Sequence, residues 1–162
     1  MRLDLKNNKW KITIALIVVV GTVLLGLGFR IHIGYFSEDR IAALRAEALL
    51  VKRFNSKQFD LIYADAAQAM RDAVSRRQMV EAMTATMDAF GTIVEDTEGA
   101  VTCFPDQVRM VRWLKSSSGA ELTQMSMWYT PGGDAKLLMM QISPGREAVD
   151  PAIVEQHRCS SR

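Results

Sequence analysis

Residues Ile12 to Phe29, ITIALIVVVGTVLLGLGF, run for eighteen positions without a charge. As a helix rising about 1.5 Å per residue, the run covers roughly 27 Å, close to the thickness of a bilayer's hydrocarbon core. Lys9, Trp10 and Lys11 precede it, and Arg30, His32, Tyr35 and Phe36 follow, so charges and interfacial aromatics bracket the span. This reading divides the chain into an N-terminal flank (1–11), a transmembrane helix (12–33), a domain (37–145) and a tail (146–162). The lipid bilayer is the first partner it implies. A cleaved signal peptide is the rival, but its apolar region spans about 7–15 residues and ends in a small-x-small site. The run here is longer and exits through FRIHIGYFSEDR, which has no such site.

Charge sets the sidedness. The overall +2 conceals Arg2, Lys6, Lys9 and Lys11 against Asp4 before the run, and 15 basic against 17 acidic side chains from Ser37 onward. Short basic flanks stay cytoplasmic, so the N-terminus is expected inside and the domain outside. In a bacterium this makes a single-pass inner-membrane protein with a periplasmic domain. Only Arg30 to Asp39 separate the span from the first domain helix, a leash of about 35 Å at full extension.

The 37–145 stretch reads as α+β, three helices followed by four antiparallel strands. Ser37, Glu38 and Asp39 open a first helix with a capping hydroxyl and acids at the dipole's positive end. Ile41, Leu44, Ala48, Val51 and Phe54 recur at helical spacing as its inner face, with Arg40, Arg45, Glu47, Lys52 and Arg53 on the solvated side. Asn55-Ser56 ends it. A second helix covers about Lys57 to Val74, with Phe59, Ile62, Ala66 and Met70 among its inner residues and an alanine-rich middle that packs closely or kinks. Ser75 to Gln78 has the form of a capping box. Met79, Met83, Met87 and Phe90 then lie on one helical face, and Gly91 closes the third helix.

Beyond Gly91 the period changes. Thr92–Phe104, Gln107–Ser116, Ala120–Thr130 and Ala135–Ser143 read as strands, parted by Pro105-Asp106, Ser117-Ser118-Gly119 and Pro131-Gly132-Gly133-Asp134. Connections this short demand an antiparallel meander. Glu95, Asp96 and Glu98 beside Gly99 suggest a bulge. Both strand faces carry apolar residues: Val111 and Trp113 oppose Val108, Met110 and Leu114, while Met125, Met127 and Tyr129 oppose Leu122 and Trp128. In the last strand Leu138, Met140 and Ile142 oppose Leu137 and Met139. Helices cover one face only, so the tail, a second copy of the chain or another protein must cover the other.

Cys103 and Cys159 would lie in an oxidising compartment, where a disulfide pins the tail to the sheet. Closing such a loop contributes on the order of 4 kcal/mol in the chain-entropy model. Their spacing is not that of a redox or zinc pair, and His32 and His157 are the only histidines. The methionines fall at helix and strand periods, as core filling does. Asp60, Asp65, Asp72 and Asp88 are scattered without a partnering nucleophile or histidine. Arg109, Arg112 and Lys115 form a basic strip too small for a nucleic-acid surface. No catalytic, cofactor-binding or metal-binding residue is therefore assigned.

The helical segment IAALRAEALLVKRFNSKQFDLIYADA, the capped helix SRRQMVEAMTATMDAFG and the meander after it together resemble the nuclear-transport-factor-2-like cone fold, over about Ser37 to Ser143. Small bacterial envelope proteins of this type join one membrane helix to such a domain and work by protein contacts. The resemblance thus implies a membrane-anchored periplasmic interaction or assembly module without catalysis, partnered by another envelope protein or a second copy. Trp113, Trp128 and Val111 are its candidate interface residues. The same fold also hosts ketosteroid-isomerase-like enzymes, so the alternative is a ligand binder or isomerase-like enzyme. Tyr63, Met83, Met87 and Phe90 would then line a cone-shaped pocket between helices and sheet, with Tyr63 or Asp88 as its polar group.

Overall fold

The computed structural model describes residues 37–152 and Cys159. The run Ile12–Phe29, and the tail residues Ile153 and Val154, lie outside them. Among the described residues no helix is long and apolar enough to cross a membrane. The chain is helical from residue 37 through 55 (α1). It continues through α2 (Phe59–Asp65), α3 (Gln68–Ala73) and α4 (Arg76–Phe90) into strands β1 (Ile93–Phe104), β2 (Gln107–Ser116), β3 (Glu121–Tyr129) and β4 (Lys136–Pro144). The strands pair in chain order as an antiparallel meander.

There are four helices where the sequence suggested three. The stretch from Lys57 to Val74 breaks at Ala66 and Ala67, both extended at ψ 157° and 150°. A helix break frees backbone groups that need partners. Here the Ala67 N–H donates to the Leu137 carbonyl at 2.9 Å, docking the break on edge strand β4. Arg71 Nη1 donates to the carbonyls of Ala64 and Ala66 at 2.8 and 2.6 Å. The expected capping box at Ser75 and Gln78 is present in both directions, and Gly91 at φ 83° ends α4. A Cβ at Gly91 would come within 2.2 Å of Ser117 Oγ, because the β2–β3 turn packs against this cap.

The inner face of α1 is rotated from the one its apolar residues suggested. Asp39, Ala43, Glu47, Leu50 and Phe54 are buried, whereas Ile41 and Ala48 are exposed. Polar partners on the sheet, described below, make this orientation favourable. The core lies between the helices and one sheet face. Phe54, Phe59, Ile62, Met70, Met79, Met83 and Met87 meet Val101, Val108, Met110, Leu114, Leu122, Trp128 and Leu137 there. In β4 the expected alternation fails, because a register shift between Met127 and Trp128 pairs Trp128 with Leu137 and Met127 with Met139. Leu137 consequently shares the core face with Met140 and Ile142, which pair with Ser126 and Gln124.

β1 is irregular where the acidic run beside Gly99 suggested. Its register with β2 shifts between Ile93 and Glu95 and again between Glu98 and Ala100. A Cβ on Gly99 would lie 3.0 Å from Trp113 Cε2 and 3.1 Å from the Val111 carbonyl oxygen, and the latter is backbone. Gly99→Ala is therefore expected to destabilise the protein by about 1–3 kcal/mol, the range of overpacking. Chemical denaturation followed by tryptophan fluorescence measures this.

Candidate functional site

Two features of the sheet draw attention, one on each face. On the core face, the Glu47 carboxylate of α1 is only 1% exposed. It accepts hydrogen bonds from Gln124 Nε2, from Ser126 Oγ at 2.8 Å and from Trp128 Nε1 at 3.0 Å. All three donors lie on β3, at alternating positions that the pleat turns toward α1. Burial pushes the Glu47 carboxyl above its ordinary range; the three donors pull the other way and nearby Asp96 adds to the rise. A short ladder of ion pairs flanks this group. Arg40 of α1 meets Glu98 at 3.0 Å, and Arg112 of β2 meets Asp96 at 2.7 Å. Asp39, beside Thr130, is also buried, and burial raises its carboxyl despite the opposing effect of the Thr130 hydroxyl. Oδ1 of Asp39 and Oγ1 of Thr130 have no hydrogen bond of proper geometry.

The opposite face is covered in part by the tail. The Glu147 N–H donates to Thr123 Oγ1 at 2.8 Å, and Trp113 Nε1 donates to the Glu147 carbonyl at 3.2 Å. Ser143 Oγ donates to the Glu147 carboxylate. The Arg146 guanidinium stacks 3.7 Å from the Trp113 ring centroid. Cys159, by contrast, is bonded to Cys103 of β1 among the core side chains, with Cα atoms 5.0 Å apart. Between the tail and the sheet lies a cavity of about 620 Å³. Ala100, Val111, Met125, Met127 and Met139 contribute its apolar surface, and Ala148 to Asp150 its tail side. Arg109 stands at its rim, its guanidinium 4.8 Å from the Phe104 ring centroid.

Of the residues proposed for a cone pocket, Phe90 is partly buried against the core. Met83 and Met87 are packed in the core. Tyr63 is half-buried and donates its hydroxyl to the Arg71 carbonyl, and Asp88 is exposed. A space of about 80 Å³ remains between α1, α2 and β4, lined by residues including Leu49, Leu50, Ile62 and Leu137. Of the candidate interface residues, Trp128 is not on the surface: its indole is held in the core by Glu47 and is 4% exposed. Trp113 and Val111 do lie on the outer face, Trp113 beneath Arg146 and Val111 in the cavity. Among the described residues no three His, Cys, Asp or Glu side chains gather as a metal site would.

No family model and no curated protein matches this sequence. The site therefore stands on its geometry. Sequence reading placed Glu47 on a solvated face, yet its position four residues after Ala43 and seven before Phe54 puts it on one stripe with both.

Because Glu47 binds its proton more tightly in the folded protein, its linkage lowers stability as pH rises from the ordinary value of 4.5 toward the raised one. Relative to Glu47→Gln, the wild type is expected to lose stability across that interval, a difference that thermal unfolding at stepped pH detects. Glu47→Leu removes the shared acceptor of Gln124, Ser126 and Trp128, leaving Trp128 Nε1 only Ser126 Oγ at 3.1 Å, and is expected to cost about 3 kcal/mol or more at both ends of that interval.

Proposed function

We propose that this chain is a non-catalytic binding module held at a membrane, and that it takes hold of an apolar group of its partner in the cavity beneath the tail. The observation that carries this reading is the contrast between the two sheet faces. The core side is filled by methionines and aromatics. The outer side keeps an apolar space of about 620 Å³, within the range of roughly 300–1,000 Å³ typical of ligand sites. Glu47, the deepest carboxylate, is occupied by three donors and does not face that space.

The N-terminal apolar run and its basic flank support the membrane placement, with the domain on the periplasmic side of a bacterial inner membrane. The disulfide fits that compartment. Helices preceding an antiparallel meander are of the α+β class that the cone-fold resemblance also implies, and the cavity this reading uses lies on the outer sheet face. Another envelope protein, a second copy or a lipid each offers an apolar group of the kind required.

Photo-crosslinking in native membranes tests the reading. Benzoylphenylalanine replacing Met127 in the full chain is expected to give a discrete adduct, whereas the same group at exposed Ala48 gives none. Adding Ala100→Trp, which fills the cavity from the β1 side, is expected to abolish the adduct. Equal adducts from positions 127 and 48, or an adduct insensitive to Ala100→Trp, would contradict it.

A further inference from the structure

Resting on the membrane placement proposed above, we infer that the outward face of α1 lies along the bilayer surface. Arg45 and Lys52 take anionic phospholipid head groups there, and Ile41 and Leu49 enter the interface.

The face follows from the rotation that Glu47 imposes. With Asp39, Ala43, Glu47, Leu50 and Phe54 turned to the core, the opposite stripe carries Ile41, Arg45, Ala48, Leu49 and Lys52, at i, i+4, i+7, i+8 and i+11. All of these are exposed, Ile41 at 46% and Leu49 at 43%. Aliphatic side chains interleaved with cations make the pattern of a helix lying in a lipid interface. The stems of Arg and Lys cover apolar surface while their charged heads reach outward to phosphates. The outward side of α4 differs. Its exposed residues, among them Arg77, Glu81, Thr84 and Asp88, mix both signs and include no large apolar side chain.

Charge complements an anionic surface. From residue 40 to residue 58 the only acid is Glu47, and it is buried against β3. Arg40 and Arg53 are committed, to Glu98 at 3.0 Å and to Asp65 at 2.6 Å. The other acid of α2, Asp60, is paired with Arg76. Arg45 and Lys52 have no acidic partner among the described residues. Lys57, just past the helix, is a further exposed cation. Glu38 is the one exposed acid of α1 and stands in its first turn, ahead of the stripe's cations.

The course of the chain keeps this helix close to lipid. The apolar run ends at Phe29 and α1 begins at residue 37, so residues 30–36 alone join them, about 25 Å at full extension. Ile31, Ile33, Tyr35 and Phe36 within that link are of the kinds that favour the interface. Each cation near an anionic surface strengthens the contact roughly fivefold, an effect that salt screens.

Fluorescence quenching in proteoliposomes tests this. The full chain carries an environment-sensitive fluorophore at Leu49→Cys or, as the control, at Ala85→Cys on the exposed side of α4. It is reconstituted in phosphatidylcholine vesicles with or without phosphatidylglycerol, and a nitroxide-bearing lipid is the quencher. The label at position 49 should be quenched in phosphatidylglycerol vesicles and several-fold less in phosphatidylcholine alone, and the label at position 85 in neither. Adding Arg45→Gln with Lys52→Gln should lower the first signal to the phosphatidylcholine level, whereas Arg45→Lys with Lys52→Arg should preserve it. Equal quenching at the two positions, quenching indifferent to phosphatidylglycerol, or quenching unchanged by the paired glutamines would each overturn the inference. Flotation of the same vesicles after alkaline carbonate separates the two levels of the argument. Protein that floats without quenching at position 49 loses only this contact, and protein that is released loses the membrane placement with it.

Discussion

The carboxylate of Glu47 decides how α1 lies on the sheet. A buried carboxylate is costly unless donors satisfy it, and here Gln124, Ser126 and Trp128 do so from consecutive inward positions of one strand. Rotating α1 to bury Ile41 and Ala48 instead would withdraw Glu47 from all three donors. Gln124 and Ser126 would lose that acceptor in the core, each at a cost of about 1–3 kcal/mol, and Trp128 Nε1 would keep only Ser126 Oγ. The polar network therefore fixes the rotation of a helix that apolar packing alone would leave less determined. Ala43, Leu50 and Phe54 then follow it into the core, and the Arg40–Glu98 and Arg112–Asp96 pairs extend the same registry toward β1.

With α1 fixed in this way, the two sheet faces take different roles. The inner face is closed by α1, α2, α3 and α4 and is occupied by side chains. The outer face is neither bare nor filled. Its described cover is the tail from Arg146 to Asp150, fastened through Glu147. Ala148, Val149 and Asp150 stand over the sheet with space beneath them, and Met125, Met127 and Met139 line that space. The arrangement suits binding because its rigid floor is made by the meander and its wall by a short segment.

Much of this fold was legible in the sequence. The four strands, the turns between them, the capping box at Ser75 and the glycine cap at Gly91 are local signals, and local chemistry decides them. Three features were not legible, each for a physical reason. The alanine-rich middle allowed a kink or close packing, and the choice of a break at Ala66-Ala67 depends on a hydrogen bond to β4, some seventy residues away in sequence. The rotation of α1 depends on donors that no hydrophobic pattern registers, which also hid Glu47 and misplaced Trp128 on the surface. The swap of Leu137 and Leu138 depends on one irregularity opposite Met127 and Trp128. At the candidate site the apolar second face could be read from Val111, Met125 and Met127. Which segment would cover it was left open, because tail placement is tertiary.

The methionines offer the most direct test of the division between a filled inner face and an accessible outer one. Met79, Met83, Met87 and Met110 lie within the core, while Met139 is 45% exposed and Met125 and Met127 line the cavity. Oxidation to the sulfoxide follows access to the sulfur. Peroxide footprinting of the folded full chain, read by mass spectrometry, should modify Met139 first, Met125 and Met127 next, and Met79, Met83, Met87 and Met110 only as the protein unfolds. Oxidation of Met83 and Met87 as fast as Met139 would show an open space between helices and sheet, and would contradict the placement of the proposed binding site on the outer face.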